Sequence, residues 1–477
     1  MAEHYDLIVL GSGPAGEKGA ARAAYEGKRV ALVEMAHVLG GTATSSGIPT
    51  KALRETALAI SGLRGRRITG LELSYAAELD MQTFMYQERQ VQTAVQSRVA
   101  LNLDSHGVRR YVGRASFADP HTIRVACDPG ELTITGDVIL IATGARPVRP
   151  AAFPWHHPRV YDATSIMGMH RLPRQLTVVG GGVVGCEFAC LFAALGIPVT
   201  LIHSQEQLFP FVDHEIGALL QGAMGAMGVR LLLPERLTET LVAADGRELT
   251  VVLASGARLK TETLLVAVGR ASNTDTLGLE RAGVAVGPRG LIPVNEVYQT
   301  EVPHIYAAGD VIGFPALAST AMEQGRRAVT HAFKLAYRTD ARDHVPYGIW
   351  TIPEISMVGA TEQALRAAGT PIVVGRAHYS QNARGMVLAD PVGMLKLIFS
   401  AADLTLLGIH IIGDDACELI GLGLLALETR ATAHQLIDLC FNFPSLTEMY
   451  KYAAYDALGT YRAQGGAITG PQPDAGP

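Results

Sequence analysis

The chain is poor in cysteine. Of its 477 residues only Cys127, Cys186, Cys190, Cys417 and Cys440 carry a thiol, and no two form a C-x-x-C pair. Scattered thiols of this kind favour a reducing cytoplasm over a disulfide framework. The chain also lacks an uninterrupted apolar run of about 18 residues, the minimum for a spanning helix, although its mean hydropathy is +0.20. It has no excess of basic charge, and a formal net charge of -5 gives neither nucleic acid nor an anionic membrane electrostatic support. The start, MAEHYDLIVLGSG, has no basic leader and no small-residue cleavage site, so it reads as a strand and not as a secretory signal. Metal-ligand spacing is missing as well: there is no H-x-x-x-H, no paired C-x-x-C and no suitably spaced carboxylate cluster.

What is present is a long chain with 48% apolar residues, enough for sizeable cores and, by length, about three domains. Residues 5–10 (YDLIVL) form an apolar run that ends in glycines. An Ala-rich stretch and a second run, RVALVE, follow. Strand, glycine turn, helix, strand is the signature of a βαβ unit. The order recurs at 175–180 (QLTVVG), followed by GGVVGCEFACLFAALG and PVTLIH, so two nucleotide-binding folds are expected. Between them, 50–105 reads as largely helical, 106–140 as short strands with turns at Asp119-Pro120 and Asp128-Pro129, and 135–141 as a buried strand. From about 345, alternating apolar runs precede helical patterns at 416–430 and 446–460, the order of an α+β domain. The Gly/Pro-rich tail reads as disordered.

The first glycine fingerprint is Gly11-x-Gly13-x-x-Gly16. Its helix N-terminus offers unpaired N–H groups to a pyrophosphate, and glycine lets the backbone come close. Glu34 closes the next strand at the roughly 20-residue offset of the acid that binds a ribose. The second fingerprint is Gly180-x-Gly182-x-x-Gly185, and the matching position holds His203. A carboxylate there favours NAD and an arginine favours NADP; the loop His203-Ser204-Gln205 has neither. Two readings stay open. Either His203 is a surface loop residue without a ligand role, or a neutral site accepts both nucleotides with comparable kcat/KM.

Further motifs follow in order: Ile48-Pro49-Thr50-Lys51, Ala142-Thr143-Gly144, Gly269-Arg270, Tyr306-Ala307-Ala308-Gly309-Asp310 and Phe443-Pro444-Ser445-Leu446-Thr447-Glu448. Together with the two fingerprints they resemble the pyridine nucleotide–disulfide oxidoreductases across essentially the whole chain. The resemblance implies an α/β fold with two Rossmann-like domains and a C-terminal α+β dimerisation domain. FAD binding is expected in 1–150 and the return segment 273–344, NAD(P) binding in 151–272, dimerisation in 345–465, and a tail at 466–477. It also implies a homodimer or larger homo-oligomer. Asp310 would bind the FAD ribityl chain, with Thr143, Gly144, Gly309, Gly269 and Arg270 as further cofactor contacts. Lys51 and Glu187 would form an ion pair beside the flavin, in the nicotinamide pocket. Taken singly, Asp310 could cap the helix after it, and Glu187 in a first helical turn could complement the dipole.

Two departures from the family stand out. Its redox disulfide lies in G-x-C-x-x-x-x-C-I-P-[ST]-K, and here the cysteine positions are Thr42 and Gly47. Its base histidine, in H-P-[ST], is here Phe443. A base that serves a thiol has no purpose once the thiol is gone. The coherent expectation is an FAD enzyme that passes hydride between NADPH and NAD through a single nicotinamide site. A diaphorase or oxidase acting on quinone or oxygen is the alternative, and a non-catalytic flavin sensor is a third. Cys186, Cys190 and His410 are read as packing residues, and Glu448 as a helix-terminal or interface hydrogen bond.

Overall fold

The structure is a computed structural model that describes residues 2–62, 84–243, 246, 248–336, 344–390 and 392–465. The tail at 466–477 and the middle of the helical stretch expected over 50–105 lie outside the described residues. The chain divides into two units. One is Met1–Thr56, Glu78–Leu172 and Val266–Ala341; the other is Ala57–Ala77, Pro173–Leu265 and Arg342–Pro477.

The first unit is built on β1 (Glu3–Leu10), α1 (Pro14–Tyr25) and β2 (Val30–Glu34). β1 lies parallel to β2 and to the strand Glu131–Ile141, which begins four residues before the expected 135. The strand Ile305–Ala307 joins the same sheet parallel to Glu131–Ile141, so the return segment completes the first fold. Successive β1 residues point to opposite faces: Ile8 and Leu10 enter one core, Leu7 and Val9 the other. The second core takes Ala15, Ala20 and Ala23 of α1 with Ala321 and Ala328 of the helix Ala318–Ala332. Each such buried Leu, Ile or Val contributes on the order of 1.5–3 kcal/mol. The continuous apolar run of β1 thus reflects a strand covered on both faces.

The second unit repeats the motif as β3 (Leu176–Val179), α2 (Val183–Ala194) and β4 (Val199–Ile202). β4 is parallel to β3 and to Val229–Leu232. α2 is apolar and buried on nearly every side, and Cys186 and Cys190 are part of that packing. Burial pushes the Cys186 thiol well above its ordinary pKa, which leaves it inert. The C-terminal part is a five-stranded antiparallel sheet ordered Tyr347–Ile349, Glu354–Gly359, Leu406–Gly413, Met394–Ser400, Ile372–His378. The helices Ala416–Glu428 and Met449–Ala463 share a core with it, close to the two helical stretches expected there. His410 is fully buried in this sheet, with Nε2 3.0 Å from the Ala360 carbonyl.

Candidate functional site

In the first unit the chain leaves β1 through Gly11, whose φ of +101° belongs to the glycine-favoured region. A Cβ on Gly16 would fall 1.9 Å from the Gly11 carbonyl oxygen, so only glycine lets the helix start this close to the turn. Gly13 is the N-cap of α1, and a Cβ there would meet nothing within 4 Å. The N-terminal amides of α1 therefore face open space, the cradle an anionic pyrophosphate needs. Glu34 closes one side: its Oε2 accepts from the Ser12 amide at 2.8 Å and the Ser12 hydroxyl at 2.6 Å. A cavity of about 450 Å³ adjoins it, lined by Glu34, His37, Asp104, Arg109 and Val112.

The opposite side comes from distant segments. The Asn273 amide donates to the Thr143 carbonyl and its backbone N–H to the Gly144 carbonyl, both at 2.9 Å. Gln324 accepts from the Gly309 amide at 2.8 Å. Asp310 opens a short turn whose N-cap is Gly309, and the longer helix after it is capped at Leu317, so the capping reading of Asp310 is not realised. Burial pushes its carboxyl above the ordinary range, while Arg270, 3.6 Å away, pulls it back. Arg270 also donates to the Ala145 carbonyl and to Thr42 Oγ1 at 3.3 Å. Its Nε and the Thr143 hydroxyl are buried without a hydrogen-bond partner. Two orphaned polar atoms beside an open helix N-terminus and a ribose-type carboxylate fit a polar cofactor such as FAD.

The second unit repeats the first turn closely. Gly180 has a φ of +112°, Gly182 caps α2, and a Cβ on Gly185 would fall 1.9 Å from the Gly180 oxygen. His203 is half-buried beside it, and its Nδ1 accepts from the Gly181 amide at 3.2 Å. It is therefore not a free loop residue. Burial alone holds its pKa below the ordinary histidine value. α2 begins at Val183, which puts Glu187 past the first turn and corrects the dipole reading. Glu187 Oε1 instead accepts from the Trp350 amide at 2.9 Å. Lys51 lies near the start of the helix Ile48–Ser61 in the first unit, and Gly269 immediately precedes Arg270.

The two departures from the dithiol pattern bracket one short segment. Thr42 precedes a single wide helical turn, Ala43–Gly47, that runs directly into the Lys51 helix. No cysteine lies in it. Phe443 is 69% exposed, and Glu448 accepts from the Tyr452 hydroxyl at 3.4 Å, one turn into the last helix. The sequence assigns no role to Asn273, Gln324 or the Trp350 amide, although Asn273 and Trp350 lie within the motif stretches 269–275 and 347–354. Asn273 at least had a signal, three residues after Arg270 in a motif segment; a side chain that bonds a distant main-chain group leaves none.

The sequence matches the family described as pyridine nucleotide-disulphide oxidoreductase over residues 5–325, and that family's dimerisation domain over 345–454. A soluble pyridine nucleotide transhydrogenase of Mycobacterium tuberculosis is 41% identical over 463 residues, covering 96% of this chain and 98% of the relative. Its counterpart in Ectopseudomonas mendocina is 40% identical over 467 residues, 95% of this chain and 98% of the relative. The solved Cu(II) complex of the HOCl-induced flavoprotein disulfide reductase RclA from Escherichia coli has a TM-score of 0.86 at 28% identity, covering 95% of this chain and 99% of that chain. With two glycine folds, an interface domain and full-length relatives, the chain belongs to the pyridine nucleotide–disulphide oxidoreductase family.

Proposed function

We propose that the chain is an FAD-dependent pyridine nucleotide transhydrogenase that moves hydride from NADPH to NAD. The observation that carries this is the pairing of two intact glycine folds with Thr42 and Gly47 where a reductase has its dithiol. Gly11, Gly13 and Gly16, with Glu34, would hold the FAD pyrophosphate and ribose; Thr143, Gly144, Gly269, Arg270, Gly309 and Asp310 would line the rest. Gly180, Gly182, Gly185 and His203 would hold the nicotinamide nucleotide. Bound FAD supplies a two-electron acceptor that takes and returns hydride. Lys51 would provide fixed positive charge where negative charge develops, with Glu187 held in place by the Trp350 amide. Neither Thr42 nor Gly47 can carry electrons onward, so the nucleotide site would serve as entrance and exit in ping-pong order. Relatives named as transhydrogenases over nearly their full length support this reading. A homodimer through the 345–465 region, working in the cytoplasm, completes it.

The test is anaerobic addition of NADPH and then NAD to the purified holoenzyme. Bleaching of the flavin by NADPH and its recovery with NAD, without a thiolate–flavin charge-transfer band, is expected. Turnover with quinone or oxygen well above that with a nicotinamide acceptor would favour a diaphorase instead.

A further inference from the structure

We propose that His203 reads the 2′ substituent of the nicotinamide nucleotide with a single uncharged N–H donor, which lets one site take both NAD(H) and NADP(H). The proposal rests on the reading of the second glycine fold as the nucleotide site, and it identifies what sets nucleotide choice there.

The two folds can be compared through one hydrogen bond. In the first, the residue between the leading glycines, Ser12, donates its amide to Glu34 Oε2 at 2.8 Å. In the second, the residue at the same place, Gly181, donates its amide to His203 Nδ1 at 3.2 Å. Glu34 ends β2, and His203 directly follows β4. The imidazole therefore takes over the structural duty of the carboxylate but not its charge.

The Gly181 amide fixes the tautomer. A nitrogen that accepts a hydrogen bond holds no proton, so in the neutral ring the proton sits on Nε2. Among the described residues Nε2 makes no hydrogen bond. Glycine at 181 belongs to the same device: a Cβ there would meet Leu208 Cδ2 at 2.6 Å, His203 Cγ at 2.7 Å and His203 Cβ at 2.9 Å. The ring is thus seated on the turn, and a side chain at 181 would displace it. Protonating Nδ1 would cost the Gly181 bond, and burial already disfavours the cation. The next acid along the chain, Glu206, is exposed; Glu235 bonds the His203 carbonyl through its amide at 2.7 Å and turns its carboxylate to the Arg236 amide.

The consequence follows from donor and acceptor counting. A carboxylate accepts from a ribose 2′-hydroxyl and repels a 2′-phosphate, and an arginine does the reverse. A neutral N–H donates to a hydroxyl oxygen or to a phosphate oxygen without a net charge of its own. Such a residue discriminates weakly, as an enzyme that must take both nucleotides at one site requires.

The experiment measures equilibrium binding of 5′-AMP and 2′,5′-ADP, which differ only at the 2′ position, to the holoenzyme, so no hydride transfer is involved. The two affinities should lie within roughly tenfold of each other in the wild type. His203→Glu should weaken 2′,5′-ADP selectively and His203→Arg should weaken 5′-AMP relative to it, each by roughly tenfold or more. His203→Gln, which can keep both the acceptor and the donor, should retain the wild-type ratio. Nitrogen-15 NMR of the imidazole at neutral pH should show Nε2 protonated and Nδ1 bare. If both ligands bind but the ratio ignores the Glu and Arg variants, or if Nδ1 carries the proton, the proposal fails while the transhydrogenase reading stands. If neither ligand binds, the reading of the site fails and takes the proposal with it.

Discussion

At the scale of single residues, the three glycines of the first fingerprint do different jobs, and the structure separates them. A Cβ on Gly16 would collide with the Gly11 carbonyl oxygen, whereas one on Gly13 would point into open space. Gly16→Ala should therefore destabilise even the flavin-free protein, by about 1–3 kcal/mol for a forced overlap. Gly13→Ala should leave the flavin-free protein as stable as wild type but lower the FAD retained through purification. Thermal unfolding of the apoproteins and the flavin-to-protein absorbance ratio of the purified forms distinguish the two. If Gly13→Ala unfolds as early as Gly16→Ala, the open space is not a cofactor cradle.

At the scale of elements, the second unit carries a charged cluster that the sequence did not announce. Arg376, Lys396, His410 and Met357 are cross-strand neighbours over four strands of the antiparallel sheet. Lys396 is 2% exposed and donates to Asp213 at 2.8 Å, Glu215 at 2.9 Å and Glu362 at 2.6 Å. Asp213 also caps the helix His214–Ala226 of the nucleotide fold. Burial pushes all three carboxyls up, but hydrogen bonds from Lys396 and its neighbours outweigh it and hold them below their ordinary range. Lys396→Met would leave these carboxylates without a buried counter-charge and should cost on the order of 3–5 kcal/mol. Adding Asp213→Asn should restore part of that loss in a denaturant titration.

The pH dependence of the cluster has a definite sign. Carboxylates with lowered pKa values contribute fully above their unfolded pKa, about 4, and lose that contribution as pH falls through the folded values. Lys396, raised despite burial, contributes fully below about 10.4 and loses it as pH rises further. Burial lowers the pKa of His410, so its penalty sets in as pH falls below about 6.5. Unfolding measured against pH should give a plateau between roughly 6.5 and 8.5, its alkaline end set by the buried Cys186 thiol, which ionises more readily in the unfolded chain. Stability that rises on acidification below that window would contradict the assignment.

At the scale of the whole molecule, the missing thiols and the missing base make one statement about electron flow. The wild type should accept a single hydride equivalent per chain in an anaerobic titration, because nothing beyond the flavin stores electrons. Thr42→Cys with Gly47→Cys should raise the uptake to a second equivalent if the pair closes to a disulfide. A second equivalent in the wild type would mean an unseen redox partner and would overturn the account.

The sequence by itself determined the two βαβ units, the cofactor-type turns and the absence of the dithiol, because each is written in residues close together along the chain. Glycine spacing and apolar runs report local backbone demands, and those survive translation into a fold. It left His203 between a bystander and a ligand, and it placed Glu187 in a first helical turn. The tertiary structure showed what each one touches, by bringing the Gly181 amide to the imidazole and the Trp350 amide to the carboxylate, and it moved Glu187 out of the first turn. It alone revealed Lys396 among three acids and Gln324 under Gly309. Hydrogen bonds and ion pairs between segments far apart in sequence depend on where the folded chain returns to itself, and no local pattern encodes that.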